Sequence, residues 1–166
     1  MSGTSLDGLD LCLVNFVPEQ EQHFKIIVAD TYPYSAEWRK KLSFKNLSAW
    51  ELHKMDQEYS LLLAKMVLQF CKEHDFKTSE IDLLASHGHT WFHKPQEGIS
   101  LQIGNRPSLA IETGIPLVCD FRLQDVALGG QGAPLVPIGD RDLFSSYEAC
   151  LNLGGFANIS FDKDGE

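Results

Sequence analysis

Residues 48–74 constrain the fold more than any other part of the sequence. Ser48 and Glu51 have the S-x-x-E spacing of a capping box, in which each residue satisfies a free backbone N–H of the first helical turn. Apolar side chains then recur three and four positions apart, so they share one helix face: Met55, Tyr59, Leu62, Leu63, Met66, Val67 and Phe70. The sequence predicts a long amphipathic helix that ends near His74.

The segments around this helix predict strands and shorter helices. Residues 9–17 and 24–32 are rich in apolar and β-branched side chains and predict a hairpin, with residues 18–22 as its loop. Further strands are expected at residues 81–86, 100–103, 115–119, 149–153 and 157–161, short helices at 36–42, 107–112 and 138–144, and polar loops at 87–93 and 120–134. This order predicts an α/β fold with a mixed β-sheet and flanking helices.

Composition excludes several classes of protein. The 166 residues are 43% hydrophobic, enough for the core of one domain, and their net charge of −9 argues against a nucleic-acid partner. No apolar run approaches the ~20 residues that span a bilayer, so we expect no membrane partner. The four cysteines are far apart in the sequence and predict buried thiols in a reducing cytoplasm.

Residues 2–10 are the first candidate site. Small hydroxyl side chains and two glycines can present successive backbone N–H groups to a phosphate, and Asp7 or Asp10 offers oxygen ligands to magnesium. The segment is no Walker A loop, because it lacks the G-K-[ST] ending and leads into a strand. An ordinary turn of the same residue types is the alternative.

Two further polar segments follow predicted strands. His87, His89 and His93 have an H-x-H-x3-H spacing that suits zinc, a polar ligand or a structural role. Asp120, Arg122 and Asp125 follow the strand predicted at residues 115–119, and ligands of open α/β sheets bind at the carboxyl ends of strands. Arg122 offers five N–H donors to sugar hydroxyls or a carboxylate, whereas a surface salt-bridge cluster is the alternative.

Glycine is concentrated in the second half of the sequence. None of the 13 glycines occurs from residue 9 to 87, and 11 occur from 88 to 165. The segments G-G-Q-G at residues 129–132 and N-L-G-G-F at 152–156 indicate compact loops or close approach to a ligand.

In combination these segments resemble a known family. MSGTSLDG, SHGHTWFH, LQIGN, DFRLQDVALGGQGAPLVP and LNLGGFANIS occur in one order from residue 1 to 160, and the sequence is similar to the anhydro-N-acetylmuramic acid kinase family. The main local departure is His89, where the family usually has glutamine. The resemblance implies a ribonuclease-H-like lobe of the actin-like, hexokinase-type ATPase superfamily.

The resemblance also implies a reaction and its site. Family enzymes use ATP, Mg²⁺ and water to convert 1,6-anhydro-N-acetylmuramic acid to N-acetylmuramic acid 6-phosphate, in peptidoglycan recycling in the bacterial cytoplasm. A homodimer is also compatible with the resemblance. The D-F-R-x-x-D block of the family maps onto Asp120, Arg122 and Asp125, which we assign to sugar binding together with His87. Asp7 and Asp10 remain the candidate magnesium ligands. The expected phosphate contacts are Gly3, Thr4, Ser5, Leu6, Asp7, Gly8, Leu9, Asp10, Gly154 and Gly155.

The resemblance implies more chain than the 166 residues supply. The catalytic aspartate of the family lies in an F-D-x-G-P-x-N block, which this sequence does not contain. We therefore expect residues 1–166 to be a single N-terminal lobe, truncated at both ends, without the second lobe and inactive alone. The alternatives are a non-catalytic binding module derived from this lobe, and another sugar-processing enzyme that uses Asp120 and Asp125 as a carboxylate pair.

Overall fold

A computed structural model describes residue 2 and residues 6–17, 24–153 and 157–161 of the protein. These residues form eight strands and five α-helices, with short 3₁₀ turns at Thr78–Glu80 and Pro95–Glu97. In chain order the elements are β1 (Gly8–Phe16), β2 (Phe24–Pro33), α1 (Ala36–Ser43), α2 (Ala49–Glu73), β3 (Leu84–Ala85), β4 (His89–Lys94), β5 (Ile99–Ile103), α3 (Pro107–Thr113), β6 (Leu117–Val118), α4 (Phe121–Ala127), α5 (Val136–Leu143), β7 (Ala149–Leu153) and β8 (Ala157–Phe161).

The long helix α2 confirms the strongest sequence prediction. The Ser48 side chain accepts from the Glu51 N–H at 3.3 Å, and the Ser48 N–H donates to the Glu51 carboxylate at 2.8 Å. The helix ends one residue before His74, as its pattern predicts. Its buried residues are Met55, Tyr59, Ser60, Leu63, Ala64, Val67, Phe70 and Cys71. Leu62 and Met66, which the pattern places on the same face, are only partly buried and pack at its border.

The strands pair in four two-stranded sheets among the described residues. β1 and β2 form the expected antiparallel hairpin, whose predicted loop at residues 18–22 lies outside the described residues. β4–β5 and β7–β8 are antiparallel, and β3–β6 is parallel. The prediction of one mixed sheet is therefore wrong for these residues. Both kinds of pairing occur, but the parallel pair spans only two residues of each strand and stays a separate ladder.

Two predicted loops contain regular structure. Residues 89–94 form β4, where His89 and Trp91 are buried on alternate positions, the period of a strand. Residues 121–127 form α4, which buries Val126. Conversely, the strands predicted at residues 81–86 and 115–119 shrink to two residues each. Short, glycine-flanked segments give little periodicity from which the element type can be read.

Helix α2 lies at the centre of the core. One cluster of buried side chains surrounds Tyr59, and a second joins Val67, Phe70 and Cys71 of α2 to Ile115. Cys71 is the only cysteine of the described residues that is buried, and Cys12 is exposed, so the prediction of four buried thiols is wrong in part. Among the residues described above, no helix is both long and apolar enough to cross a membrane.

Four buried polar side chains form two hydrogen bonds in this core. The Ser2 hydroxyl is 3.2 Å from Nδ1 of His89, and the Tyr34 and Tyr59 hydroxyls share a hydrogen bond of 2.6 Å. His89 is 3% exposed, and its burial lowers its pKa to about 4, with smaller contributions from the charges of Lys45 and His87. The fold therefore requires His89 in its neutral form at neutral pH.

The free energy of unfolding should fall as the pH is lowered from 6.5 towards 4. The unfolded chain has an ordinary histidine pKa of 6.5, whereas the fold holds that of His89 at about 4. Above pH 6.5 the ring is neutral in both states and its contribution to stability is complete. Between the two values only the unfolded state binds the proton, which costs about 3 kcal/mol of stability in total. Urea titrations at a series of pH values measure this loss.

Two glutamine variants isolate the contribution of His89. His89→Gln keeps a polar side chain that does not titrate, so its stability should depend less on pH. His93→Gln changes an exposed histidine of the same strand and should keep the wild-type dependence. An unchanged pH slope in His89→Gln would show that another group carries it.

Candidate functional site

The carboxyl ends of β3 and β6 bring two of the sequence motifs together. Leu84 pairs with Leu117 and Ala85 with Val118 in parallel register. The Ser86 N–H continues the ladder by donating to the Val118 carbonyl at 2.9 Å. The histidine motif leaves β3 and the D-F-R-L-Q-D motif leaves β6 at the same edge, which is the position where open α/β folds bind ligands.

His87 and Arg122 contact each other across this edge. Nε of Arg122 donates to Nε2 of His87 at 2.7 Å, and Nδ1 of His87 lies 2.9 Å from the Gly88 carbonyl oxygen. Burial lowers the pKa of His87; the positive charge of Arg122 lowers it further, and the hydrogen bond to Gly88 acts in the opposite direction. The site therefore pairs a neutral imidazole with a half-buried guanidinium.

The glycine-rich loop wraps around the first turns of α4. Nη1 of Arg122 donates to the Gly132 carbonyl at 2.6 Å, and the Gly132 N–H donates to the Asp125 carboxylate at 2.6 Å. A Cβ at Gly130 would collide with the Asp125 carboxylate, and one at Gly132, where φ is +64°, would lie 2.9 Å from Val126. These glycines are thus explained by the close approach of the loop to α4.

Asp120 differs from the other two members of its motif. It is exposed, as Asp125 is, but its carboxylate lies 3.8 Å from the Cys119 thiol, and its backbone has a left-handed φ of +61° at the start of α4, a conformation that aspartate adopts more readily than most residues. Asp125 instead holds the loop through Gly132. The structure thus gives the two carboxylates, which the sequence treats alike, different surroundings.

The turn after β5 supports the His87 loop. The Ser86 hydroxyl donates to Oδ1 of Asn105 at 2.8 Å, and Nδ2 of Asn105 donates to the His87 carbonyl at 3.4 Å. Gly88 has φ of +68°, and a Cβ there would lie 2.5 Å from the Ile103 carbonyl oxygen and 2.9 Å from Nδ2 of Asn105. The close fit leaves no room for a larger residue at Gly88.

A group of side chains from α2 was missed by the sequence reasoning. Asp56 accepts the Gly104 N–H at 2.7 Å and lies 3.7 Å from Nη1 of Arg106, while Ser60 accepts the Arg106 N–H at 3.2 Å. Burial raises the pKa of Asp56, against the opposing effects of the Gly104 hydrogen bond and the Arg106 charge. The signal in the sequence is the i, i+4 spacing of two polar residues beside the apolar face of α2.

Of the first candidate motif, residues 2–10, the structure describes residue 2 and residues 6–10. Leu9 is buried in the core, and Leu6 packs against it. Asp7 is exposed, whereas the Asp10 carboxylate accepts from the Thr31 hydroxyl at 2.7 Å. Gly8 is buried, and a Cβ at this position would collide with the Tyr32 carbonyl oxygen. The predicted phosphate contacts Gly3, Thr4, Ser5, Gly154 and Gly155 lie outside the described residues.

The three histidines of the second motif do not converge on one point. His87 bonds to Arg122, His89 lies beside Ser2, and His93 bonds to the Ser100 hydroxyl at 3.1 Å. In the part of the chain that the structure describes, no three His, Cys, Asp or Glu side chains are grouped to hold a metal ion. The zinc alternative has no support in this arrangement.

A cavity of about 420 Å³ lies elsewhere, between α5 and the β7–β8 hairpin. Its walls include Ile138, Phe144, Tyr147 and Phe161. None of these residues belongs to the His87–Arg122 contacts, so the candidate site is defined by its polar side chains.

Comparison with known proteins gives a consistent result. The sequence profile of the family described as anhydro-N-acetylmuramic acid kinase matches residues 1–166. A curated relative with this description from Actinobacillus pleuropneumoniae serotype 7 is 38% identical over 169 residues, which cover 96% of this chain and 45% of that protein. Relatives with the same description from Paramagnetospirillum magneticum and Haemophilus influenzae are 40% and 37% identical, and 46% and 43% of their lengths are covered. The chain spans slightly under half the length of these relatives.

Replacing Asp125 should loosen the glycine-rich loop. Asp125→Ala leaves the buried N–H of Gly132 without its acceptor, which should cost about 1–3 kcal/mol of unfolding free energy. Hydrogen exchange at Gly132 should accelerate in the same variant. Asp82→Ala removes an exposed aspartate of a different loop and should change stability by no more than about 0.5 kcal/mol. Equal losses in the two variants would contradict the holding role of Asp125.

Proposed function

The chain belongs to the anhydro-N-acetylmuramic acid kinase family, and on that premise we propose that it supplies the sugar-binding, ribonuclease-H-like lobe of a two-lobed kinase. The complete protein would use ATP and water to open the anhydro bridge of 1,6-anhydro-N-acetylmuramic acid and phosphorylate O6. Its product would enter peptidoglycan recycling in the bacterial cytoplasm.

The position of the Arg122 guanidinium is the observation that best supports this proposal. Its guanidinium is half-buried at the carboxyl ends of β3 and β6, and burial lowers its pKa without removing its charge. Among the described residues, His87 and Gly132 accept two of its five N–H donors. Muramic acid carries a carboxylate, the group that a planar guanidinium binds best. The exposed carboxylate of Asp120 is suited to accept from sugar hydroxyls.

The phosphate end of the site is assigned to the first motif. Carboxylate oxygens are the ligands that Mg²⁺ prefers, so Asp7 and Asp10 fit as its holders, directly or through water. When bound, the metal would neutralise charge on the transferred phosphoryl group. Backbone N–H groups of residues 3–10 and of Gly154–Gly155 are proposed to position the ATP phosphates.

The residues of this lobe act by positioning. Phosphoryl transfer depends mainly on alignment and charge neutralisation, so a lobe that fixes the sugar contributes through the geometry of attack. The general base that activates water must lie within hydrogen-bond reach of it. We assign that role to no residue of this chain, because the F-D-x-G-P-x-N block of the family does not occur in the 166 residues.

Arg122→Ala should weaken binding of 1,6-anhydro-N-acetylmuramic acid in the complete protein by about tenfold or more, the usual cost of losing a charged hydrogen-bond donor. Nucleotide affinity should stay within about twofold, because Arg122 lies on the proposed sugar side. Isothermal titration calorimetry with each ligand separates the two effects.

Arg39→Ala is the matched control for this test. It removes an exposed arginine from α1 and should leave both affinities unchanged. An unaltered sugar titration in Arg122→Ala would remove the sugar-binding assignment.

The 166-residue chain alone should not phosphorylate the anhydro sugar. The proposed mechanism needs a base that this sequence does not supply. Incubation of the purified chain with ATP, Mg²⁺ and the sugar, followed by mass spectrometry, should reveal no N-acetylmuramic acid 6-phosphate. Formation of the product under these conditions would show that the catalytic base lies within residues 1–166.

A further inference from the structure

Both ring nitrogens of His87 have partners within the protein. The Nε of arginine can only donate, so Nε2 of His87 must accept the bond of 2.7 Å from Arg122. A carbonyl oxygen can only accept, so Nδ1 of His87 must carry the proton that it shares with Gly88 at 2.9 Å. The partners therefore fix one tautomer, the neutral ring with its proton on Nδ1.

We propose that His87 is a positioning residue that holds Arg122 in its sugar-binding orientation and does not itself touch the sugar. This inference rests on the proposed function of Arg122. The sequence analysis expected His87 to contact the sugar; in this proposal His87 instead accepts a hydrogen bond from Arg122 and fixes the plane of its guanidinium.

The surroundings of His87 make it a rigid support. The Asn105 side chain bonds to Ser86 and to the His87 carbonyl, on the two residues that lead into the ring. The turn that carries Asn105 is in turn bonded to α2, through Asp56 to Gly104 and through Ser60 to Arg106. Hydrogen bonds thus join the central helix to the turn at residues 104–106, and that turn to the backbone of His87.

Arg122 is held from two sides. His87 accepts from Nε, and the Gly132 carbonyl accepts from Nη1 at 2.6 Å. Two acceptors in the plane of a guanidinium fix both its position and its rotation. The remaining N–H donors then have a defined direction before a ligand arrives, which lowers the entropic cost of binding.

Calorimetric titration of the complete protein with 1,6-anhydro-N-acetylmuramic acid tests the proposal. His87→Leu removes the acceptor and should weaken sugar affinity by about tenfold. Gln can place its side-chain oxygen where Nε2 lies, so His87→Gln should bind within about threefold of the wild type. His93→Gln makes the same change at an exposed histidine of β4 and should bind normally.

A double variant separates positioning from direct contact. If His87 acts through Arg122, then His87→Leu in an Arg122→Ala background should cause no further loss of affinity. A further tenfold loss would indicate a separate contact of His87 with the sugar and overturn the proposal. Equal weakening by His87→Gln and His87→Leu would also overturn it, since the acceptor at Nε2 would then be irrelevant.

Nuclear magnetic resonance tests the tautomer without any ligand. Long-range ¹H–¹⁵N correlations at pH 7 should show His87 protonated on Nδ1 and unprotonated on Nε2; a proton on Nε2 would exclude acceptance from Arg122. This measurement and His87→Gln decide the question even if His87→Leu proves unfolded by circular dichroism. If Arg122→Ala binds sugar normally, the proposed function fails; if it binds weakly while a folded His87→Leu binds normally, only the inference about His87 fails.

Discussion

The packing of Tyr59 is the constraint on which the rest of the structure depends. Its side chain is fully buried, its hydroxyl bonds to Tyr34, the residue after β2, and its ring packs beside Trp38 of α1 and His89 of β4. A Cβ at Gly104 would lie 2.7 Å from the same ring. One residue of α2 thus sets the distance from the helix to the hairpin, to α1 and to the end of β5. Because that end of β5 supports the His87 loop, core packing and site geometry are linked.

The same helix controls the site through its polar side chains. Asp56 and Ser60 bracket Tyr59 and accept the backbone N–H groups of Gly104 and Arg106. A half-buried carboxylate is costly unless it has partners; the Gly104 N–H donates a hydrogen bond to Asp56, and the Arg106 guanidinium forms an ion pair with it at 3.7 Å. Hydrogen bonds therefore fix the turn at residues 104–106 to the long helix, and breaking them would leave buried polar groups without partners. The side chain of Asn105, in the same turn, bonds to the His87 carbonyl and so restricts the backbone of His87.

Sequence reasoning predicted the parts of the fold that have long regular patterns. The capped helix α2, the β1–β2 hairpin, the β7–β8 strands and the helix closed by Gly114 all follow from periodicity and end signals. It failed for residues 89–94 and 121–127, where a strand and a helix replace expected loops. In both, polar or glycine-flanked residues hide a short element whose few buried positions, such as Trp91 and Val126, become evident only in the tertiary structure. The pairing of the described strands in four separate sheets was not predicted either, because the pattern of a single strand does not show which other strand it pairs with.

For the candidate site, the structure shows that two of the predicted motifs lie close together, while their contacts with a ligand stay predictions. His87, Arg122 and Asp125 do meet at the carboxyl ends of β3 and β6, but Asp125 bonds to the loop and His87 bonds to Arg122. Residue type alone cannot distinguish a ligand contact from a support, since both use the same donors and acceptors. Side chains that bond only within the protein should outnumber those that contact a ligand, because every polar atom buried near a site needs a hydrogen-bond partner even without substrate. A dense polar motif therefore contains side chains held by bonds within the protein, as Asp125 and His87 are, beside the groups that we propose for sugar contact, Arg122 and Asp120.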